Sequence, residues 1–90
     1  MTPVITVFTK SETPCSQCDM TKRVLSSKGV EFIEVTGIDT PLHRDMLTAF
    51  MEMGHRSAPI VTVETEEGEI LDSWSGFRPD LIERVAGRNE

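Results

Sequence analysis

The stretch from Val4 to Gly29, VITVFTKSETPCSQCDMTKRVLSSKG, decides how this chain is read. Val4-Ile5-Thr6-Val7-Phe8 is β-branched and almost continuously apolar, the pattern of a strand buried on both faces. Thr9 to Pro14 is polar and ends in proline, so it reads as a loop. From Cys15 to Lys28 the period becomes helical: Met20, Val24 and Leu25 share one face, and Lys22, Arg23 and Lys28 lie elsewhere. Gly29 supplies the stop, with basic residues expected in the last turns where the dipole favours them.

Outward from that unit the pattern continues without repeat, linker or low-complexity tract. Glu31 to Val35 alternates polar and apolar residues, a second strand. Thr40-Pro41 is an N-cap followed by proline at the first helical position, and Leu42, Met46, Leu47 and Phe50 then recur at helical spacing up to Gly54. Pro59 to Val63 is a third strand, opened by proline where a missing N–H costs least. Glu66-Glu67-Gly68 turns the chain into a fourth, Glu69 to Asp72, making a hairpin. Pro79 to Ala86 is a final helix with Leu81, Ile82 and Val85 inward and Gly87 as its stop. The order β-α-β-α-β-β-α predicts an α/β fold: a four-stranded mixed sheet flanked by three helices lying on both faces. The first crossover is expected to be right-handed, so its two strands are parallel neighbours.

Ninety residues suit one domain over 1–90, and 38% hydrophobic with 27% charged residues is ordinary globular composition. Nine Lys and Arg against fifteen Asp and Glu leave a formal charge of −6, which argues against binding nucleic-acid phosphates. No apolar run approaches the ~20 residues that cross a bilayer, and no secretion signal is visible, so the expected address is the cytoplasm. A monomer is expected.

Cys15-Ser16-Gln17-Cys18 carries the chemistry. As a permanent staple the ring is poor, worth only ~2 kcal/mol by loop entropy, and a reducing cytosol disfavours it. A metal site and a redox pair remain. A zinc or iron–sulfur module needs further ligands, and His43 and His55 match none of the usual spacings. Both histidines read as surface residues, although His55, in the loop before Pro59, could flank the cysteines. For a redox pair the placement is apt. Residues three apart share a helix face, within reach of disulfide geometry. Cys15 at the helix start meets unpaired N–H groups and the positive dipole end, which stabilise a thiolate, while Cys18 lies deeper. Moving a thiol pKa from ~8.5 to ~7 takes the thiolate fraction at neutral pH from ~3% to about half. Intrinsic nucleophilicity falls about five-fold meanwhile, so attack improves only about three-fold. The larger gains are a better leaving group at Cys15 and a second thiol held ready to displace it.

The whole chain resembles the NrdH-type redoxins, glutaredoxin-like members of the thioredoxin superfamily. Cys15-Ser16-Gln17-Cys18 is similar to the family's C-x-Q-C, Thr21-Lys22-Arg23 follows in place, and Trp74-Ser75-Gly76-Phe77-Arg78-Pro79-Asp80 matches its WSGFRPD signature in full. The resemblance implies a thioredoxin fold and a thiol–disulfide electron carrier, with Cys15 as nucleophile and Cys18 as resolving thiol. It implies a cis peptide at Ala58-Pro59, presenting the Ala58 backbone to an extended substrate with Pro59 shielding the cysteines. Ser16, Gln17, Ala58, Pro59, Trp74, Ser75, Gly76, Phe77 and Arg78 would contact partners. Trp74 is read as sitting in a loop between strand and helix, serving either loop architecture or docking. Arg78 would both bond across that loop and offer a positive contact. Met20, Met46, Met51 and Met53 read as core or helix-face residues, not a binding patch.

The implied partners are thioredoxin reductase, which draws on NADPH upstream, and class Ib ribonucleotide reductase. No cofactor or metal would be bound to this chain. Glutathione-dependent glutaredoxins usually carry a Gly-Gly-Asp-like segment where this chain has Trp74-Ser75-Gly76-Phe77; that class is the enzymatic alternative. Ser16 departs from the apolar residue common in the family, which leaves the reduction potential open.

Overall fold

The computed structural model describes residues 3–88. Strands β1 (Val4–Thr9), β2 (Ile33–Thr36), β3 (Ile60–Glu64) and β4 (Ile70–Ser75) alternate with helices α1 (Ser16–Ser27), α2 (Arg44–Glu52) and α3 (Pro79–Arg88) in the expected order. They form one sheet in the order β2-β1-β3-β4. β1 runs parallel to β2, with Thr6 opposite Ile33, and antiparallel to β3, with Val7 opposite Val61. β3 and β4 are the expected hairpin, turning where Thr65 N–H donates to Glu69 O (2.9 Å) and Gly68 adopts φ +91°.

Two-residue periodicity sorts the side chains into two cores. On one face Ile5, Val7, Val61, Val63 and Trp74 pack with Leu25 of α1 and Ile82 and Val85 of α3. On the other, Phe8 and Ile60 pack with Ile38 and with Phe50 of α2. The Phe8 and Phe50 rings meet edge to face at 4.9 Å between centroids. Central β1 is buried along nearly its whole length, as its unbroken apolar run requires. β2 is an edge strand, and its Ile33 remains 55% exposed.

Helix ends show how local chemistry sets the boundaries. α1 closes with Gly29 N–H on Ser26 O and Val30 N–H on Leu25 O, both 3.0 Å, with Gly29 at φ +72°. That left-handed position is open to glycine, and Val30 then packs into the same core as Leu25. The expectation of basic residues in the last turn does not hold: that turn has none, and Lys28 is the cap itself.

The second helix starts at Pro41 as expected, but as a 3₁₀ turn over Pro41–His43 before α2. Thr40 occupies the cap position, yet its hydroxyl donates backward to Gly37 O at 2.6 Å instead of serving a helix amide. Leu42, expected on the buried face, is 86% exposed because the 3₁₀ turn rotates it out of helical phase. Met20, Met46, Met51 and Met53 belong to neither core and lie partly exposed on or beside their helices. α3 runs through Gly87, which is therefore not its stop.

Candidate active site

The C-terminal end of β1 delivers the chain into the cysteine loop. Thr9 O accepts from Gly37 N–H (2.8 Å) and Ile38 N–H (3.0 Å), which fixes the start of that loop. The Asp39 carboxylate then holds Ser11 N–H and Glu12 N–H, one on each oxygen, at 3.0 Å. The Ser11 amide is the main reason that this carboxyl lies below its ordinary value. Two amides near the cysteines are thereby satisfied by a residue more than twenty positions away.

Cys15 is the N-cap of α1, in an extended conformation (φ −140°, ψ 91°). Its Sγ accepts the Cys18 backbone N–H at 3.2 Å, the role a Ser or Asp oxygen plays at other helix starts. The two cysteines are joined as a disulfide with Cα atoms 5.3 Å apart, inside the range the bond needs. Cys15 is half-buried, whereas Cys18 is 3% exposed, so the sequence expectation of an outer and an inner sulfur matches their placement. An amide and the dipole end converge on Cys15 Sγ, where negative charge is best accommodated.

Two further segments close on this helix start. The Ala58-Pro59 peptide is cis, as expected, with Pro59 buried and Ala58 half-buried. Pro59 O accepts Gly76 N–H at 2.8 Å, and Gln17 Oε1 accepts Phe77 N–H at 3.1 Å. Gly76 adopts φ +81°, and a Cβ there would stand 3.3 Å from Gln17 Oε1 and 3.7 Å from Ser57 Oγ. Gln17, Ser57, Pro59, Gly76 and Phe77 are thus neighbours, while Ser16 is exposed at the first position of α1. Beside Ala58 opens a groove of about 410 Å³ between β3 and α2, walled by Ile38, Leu47, Met51 and Ile60 and edged by Lys10 and Arg56.

Three sequence expectations are corrected here. Trp74 is not in a loop: β4 extends to Ser75 because Ile60 pairs with Ser75 and Val61 with Trp74, and this register turns Trp74 inward, 3% exposed. It is a core residue and offers no docking surface. Arg78 does not bond across its loop; its guanidinium grips Asp80 two residues on, at 3.0 and 3.2 Å. That pair holds the Asp80 carboxyl below its ordinary value, while Arg78 O starts α3 by accepting Leu81 N–H and Ile82 N–H. His55 is not a surface residue: it is 8% exposed, its Nε2 lies 2.9 Å from Ser73 Oγ, and its ring stands edge-on to Phe50. His43 is half-buried, with Nδ1 3.0 Å from Gly37 O.

Among the described residues, no group of three or more His, Cys, Asp or Glu side chains is arranged to hold a metal ion. None of the helices there is long and apolar enough to cross a membrane.

A profile of the glutaredoxin family matches residues 5–67, a span that includes both cysteines and the cis-proline. The chain belongs to the glutaredoxin family. Within that family it is similar to the glutaredoxin-like protein NrdH of Salmonella typhimurium, 40% identical over 81 residues that cover 90% of this chain and 86% of the relative. The NrdH protein of Lactococcus lactis is 31% identical over 83 residues, covering 92% of this chain and all of that one. Among solved structures, the NrdH-redoxin of Escherichia coli superposes with a TM-score of 0.70 at 34% identity, covering 89% of this chain and 91% of the other. A glutaredoxin from Archaeoglobus fulgidus, at 17% identity and a TM-score of 0.68 over 92% of this chain and 85% of its own, shares the fold.

This glutaredoxin-like redoxin therefore has a thioredoxin-like fold and is a thiol–disulfide oxidoreductase, with Cys15 and Cys18 as its redox-active pair. Sequence reasoning missed Asp39, Ser57 and the His55–Ser73 contact. Each depends on partners distant along the chain, and no local pattern marks them.

Proposed function

We propose that this redoxin carries electrons from thioredoxin reductase to the active-site disulfide of class Ib ribonucleotide reductase. The Cys15 thiolate attacks the partner disulfide, forming a mixed disulfide and releasing one partner thiolate. Cys18 loses its proton to solvent and attacks Cys15 Sγ. The second partner thiolate leaves, and the redoxin keeps the Cys15–Cys18 bond. Two electrons have moved to the partner, and the reductase returns two from NADPH. No cofactor binds the redoxin itself in this scheme, which operates in the cytoplasm with a monomer.

The single observation that carries the assignment of roles is the Cys15 Sγ position: half-exposed at the helix N-cap, with the Cys18 N–H aimed at it from 3.2 Å. The inner Cys18 is shielded from a bulky partner yet already within bonding reach of Cys15. Substrate would lie extended against the Ala58 backbone, with Ser16, Gln17, Ser75, Gly76, Phe77 and Arg78 around it. The full WSGFRPD signature and the NrdH relatives support the choice of partners, and the thioredoxin-like activity profile attributed to the Escherichia coli NrdH-redoxin supports the choice of reductase.

The test is a coupled assay of NADPH, thioredoxin reductase, the redoxin and a class Ib ribonucleotide reductase, following NADPH consumption and deoxyribonucleotide formation. Both should depend on the redoxin. Turnover with glutathione and glutathione reductase, and none with thioredoxin reductase, would instead place it with the glutathione-dependent glutaredoxins.

A further inference from the structure

We infer that the groove beside Ala58 docks an acidic polypeptide segment of the partner. It seats an apolar side chain flanking the partner's disulfide, with neighbouring Asp or Glu side chains at the Lys10 and Arg56 rim. This rests on the reading that the substrate is a protein disulfide lying extended along Ala58. The groove, about 410 Å³, is lined by the buried Ile38 and Ile60 and by Leu47 and Met51 of α2. A cavity of about 150 Å³ already holds benzene, so this one has room for a leucine or phenylalanine side chain. Met51, half-exposed and unbranched, adapts its wall to either.

The groove is continuous with the redox site. Ala58 itself lines it. The next residue, Pro59, is held by the Gly76 N–H, and Gly76 stands against Gln17 of the cysteine helix. Alternate side chains of an extended segment point the same way. A segment laid on the Ala58 backbone therefore has an apolar seat for a residue close to its own cysteine.

The rim sets the sign of the partner. Fifteen Asp and Glu against nine Lys and Arg make the chain acidic as a whole, yet the two exposed cations at this groove, Lys10 and Arg56, form no ion pair among the described residues. Elsewhere Lys22, Lys28, Arg78 and Arg84 each have an acidic partner. Arg23 and Arg44 are also unpaired but do not line the groove. The one carboxylate in the lining, Asp39, has both oxygens on the Ser11 and Glu12 amides, and His55 turns its Nε2 to Ser73. Glu66, Glu67 and Glu69 lie exposed at the turn after β3, at the opposite end of the strand from Ile60, and repel the same segment there. Glutathione has carboxylates but no apolar side chain, so the tripeptide leaves the groove walls unfilled.

The test follows single-turnover reduction, by the dithiol protein, of synthetic peptides with one internal disulfide flanked on both sides by Leu-Glu, Leu-Lys or Ser-Glu. Rates are normalised to those with dithiothreitol, which removes the intrinsic reactivity of each disulfide. At low ionic strength the Leu-Glu peptide should react about three- to ten-fold faster than the Leu-Lys peptide, the size of two partly exposed ion pairs. It should also outpace the Ser-Glu peptide. Salt at about 0.5 M should remove most of the charge preference and leave the preference for leucine. Lys10→Ser/Arg56→Ser should flatten the charge preference, and Lys10→Glu/Arg56→Glu should invert it. A parent indifferent to flanking charge or to leucine, or a preference that both double variants leave untouched, overturns the inference. So does faster normalised reduction of oxidised glutathione than of the Leu-Glu peptide, which would make the tripeptide the occupant. Reduction of none of the peptides would instead strike the protein-disulfide reading, and this inference with it.

Discussion

Gln17 Oε1 accepts the backbone N–H of Phe77 at 3.1 Å, joining the cysteine helix to a loop sixty residues further along the chain. The bond fixes Gly76 and Phe77 against the helix start, where Pro59 O also holds Gly76. Gln17→Ala should release the Phe77 amide and cost about 0.5–1.5 kcal/mol of stability. Hydrogen exchange at Phe77 should accelerate while exchange in the β1–β3 ladder changes only with global stability. Unaltered protection at Phe77 would contradict this linkage.

Gly76 tests the same junction from the other side. At φ +81° an L-residue is strained, and its Cβ would press on Gln17 Oε1 at 3.3 Å. Gly76→Ala should cost about 1–2 kcal/mol, lowering the thermal midpoint by about 4–16 °C in a domain of this size. Gly87→Ala is the contrasting case: the position is helical and open, so alanine should be neutral or stabilising.

Trp74 separates core from surface. Because its ring is buried in the α1–α3 core, Trp74→Ala should destabilise by about 3–5 kcal/mol, read from urea unfolding. Trp74→Phe keeps most of the apolar volume and removes an indole N–H that has no partner among the described residues, so it should fold. It should also keep its rate of protein-disulfide reduction; a selective loss of that rate in a well-folded variant would restore a docking role.

That residue also shows what was legible in the sequence. The apolar run of β1, the Gly29 stop and the Glu66-Glu67-Gly68 turn are local signals with one solution, and they led to the sheet and its helices. The end of β4 was not local. Asp72 and Ser73 look like a strand terminus, but pairing with Ile60 to Thr62 carries the strand through Trp74 to Ser75. Leu42 and Met20 have helical spacing, yet a 3₁₀ start and the choice of Cys18, Thr21 and Leu25 as the buried stripe leave both outside. Within the site, the CxxC, the cis-proline and the Gly76 loop were legible as motifs. Asp39 was not, because its bonds to Ser11 and Glu12 span more than twenty-five residues.

Asp39 and Glu34 give an acid limb to stability. Hydrogen bonds from the Ser11 amide to Asp39, and from Lys22 to Glu34, hold both carboxyls below their ordinary values. Their contribution is therefore present above the unfolded carboxyl values, about 4, and is lost as pH falls through the lower folded ones. Urea midpoints should drop between about pH 5 and 2. Asp39→Asn should be less stable than the parent at neutral pH and converge with it in acid. Parallel pH curves for the two proteins would remove Asp39 from this account.

Cys18→Ser should accumulate a covalent complex with a partner disulfide protein, visible on non-reducing gels, and Cys15→Ser should not. Accumulation with the Cys15 variant alone would reverse the roles of the two sulfurs.

The sulfur of Cys15 is also the cap of its helix, accepting the Cys18 amide that a serine oxygen would accept equally well. Chemistry and architecture are therefore separable at that one atom. Cys15→Ser should therefore lose electron transfer while keeping the parent's thermal midpoint under reducing conditions, an inert decoy of the active protein.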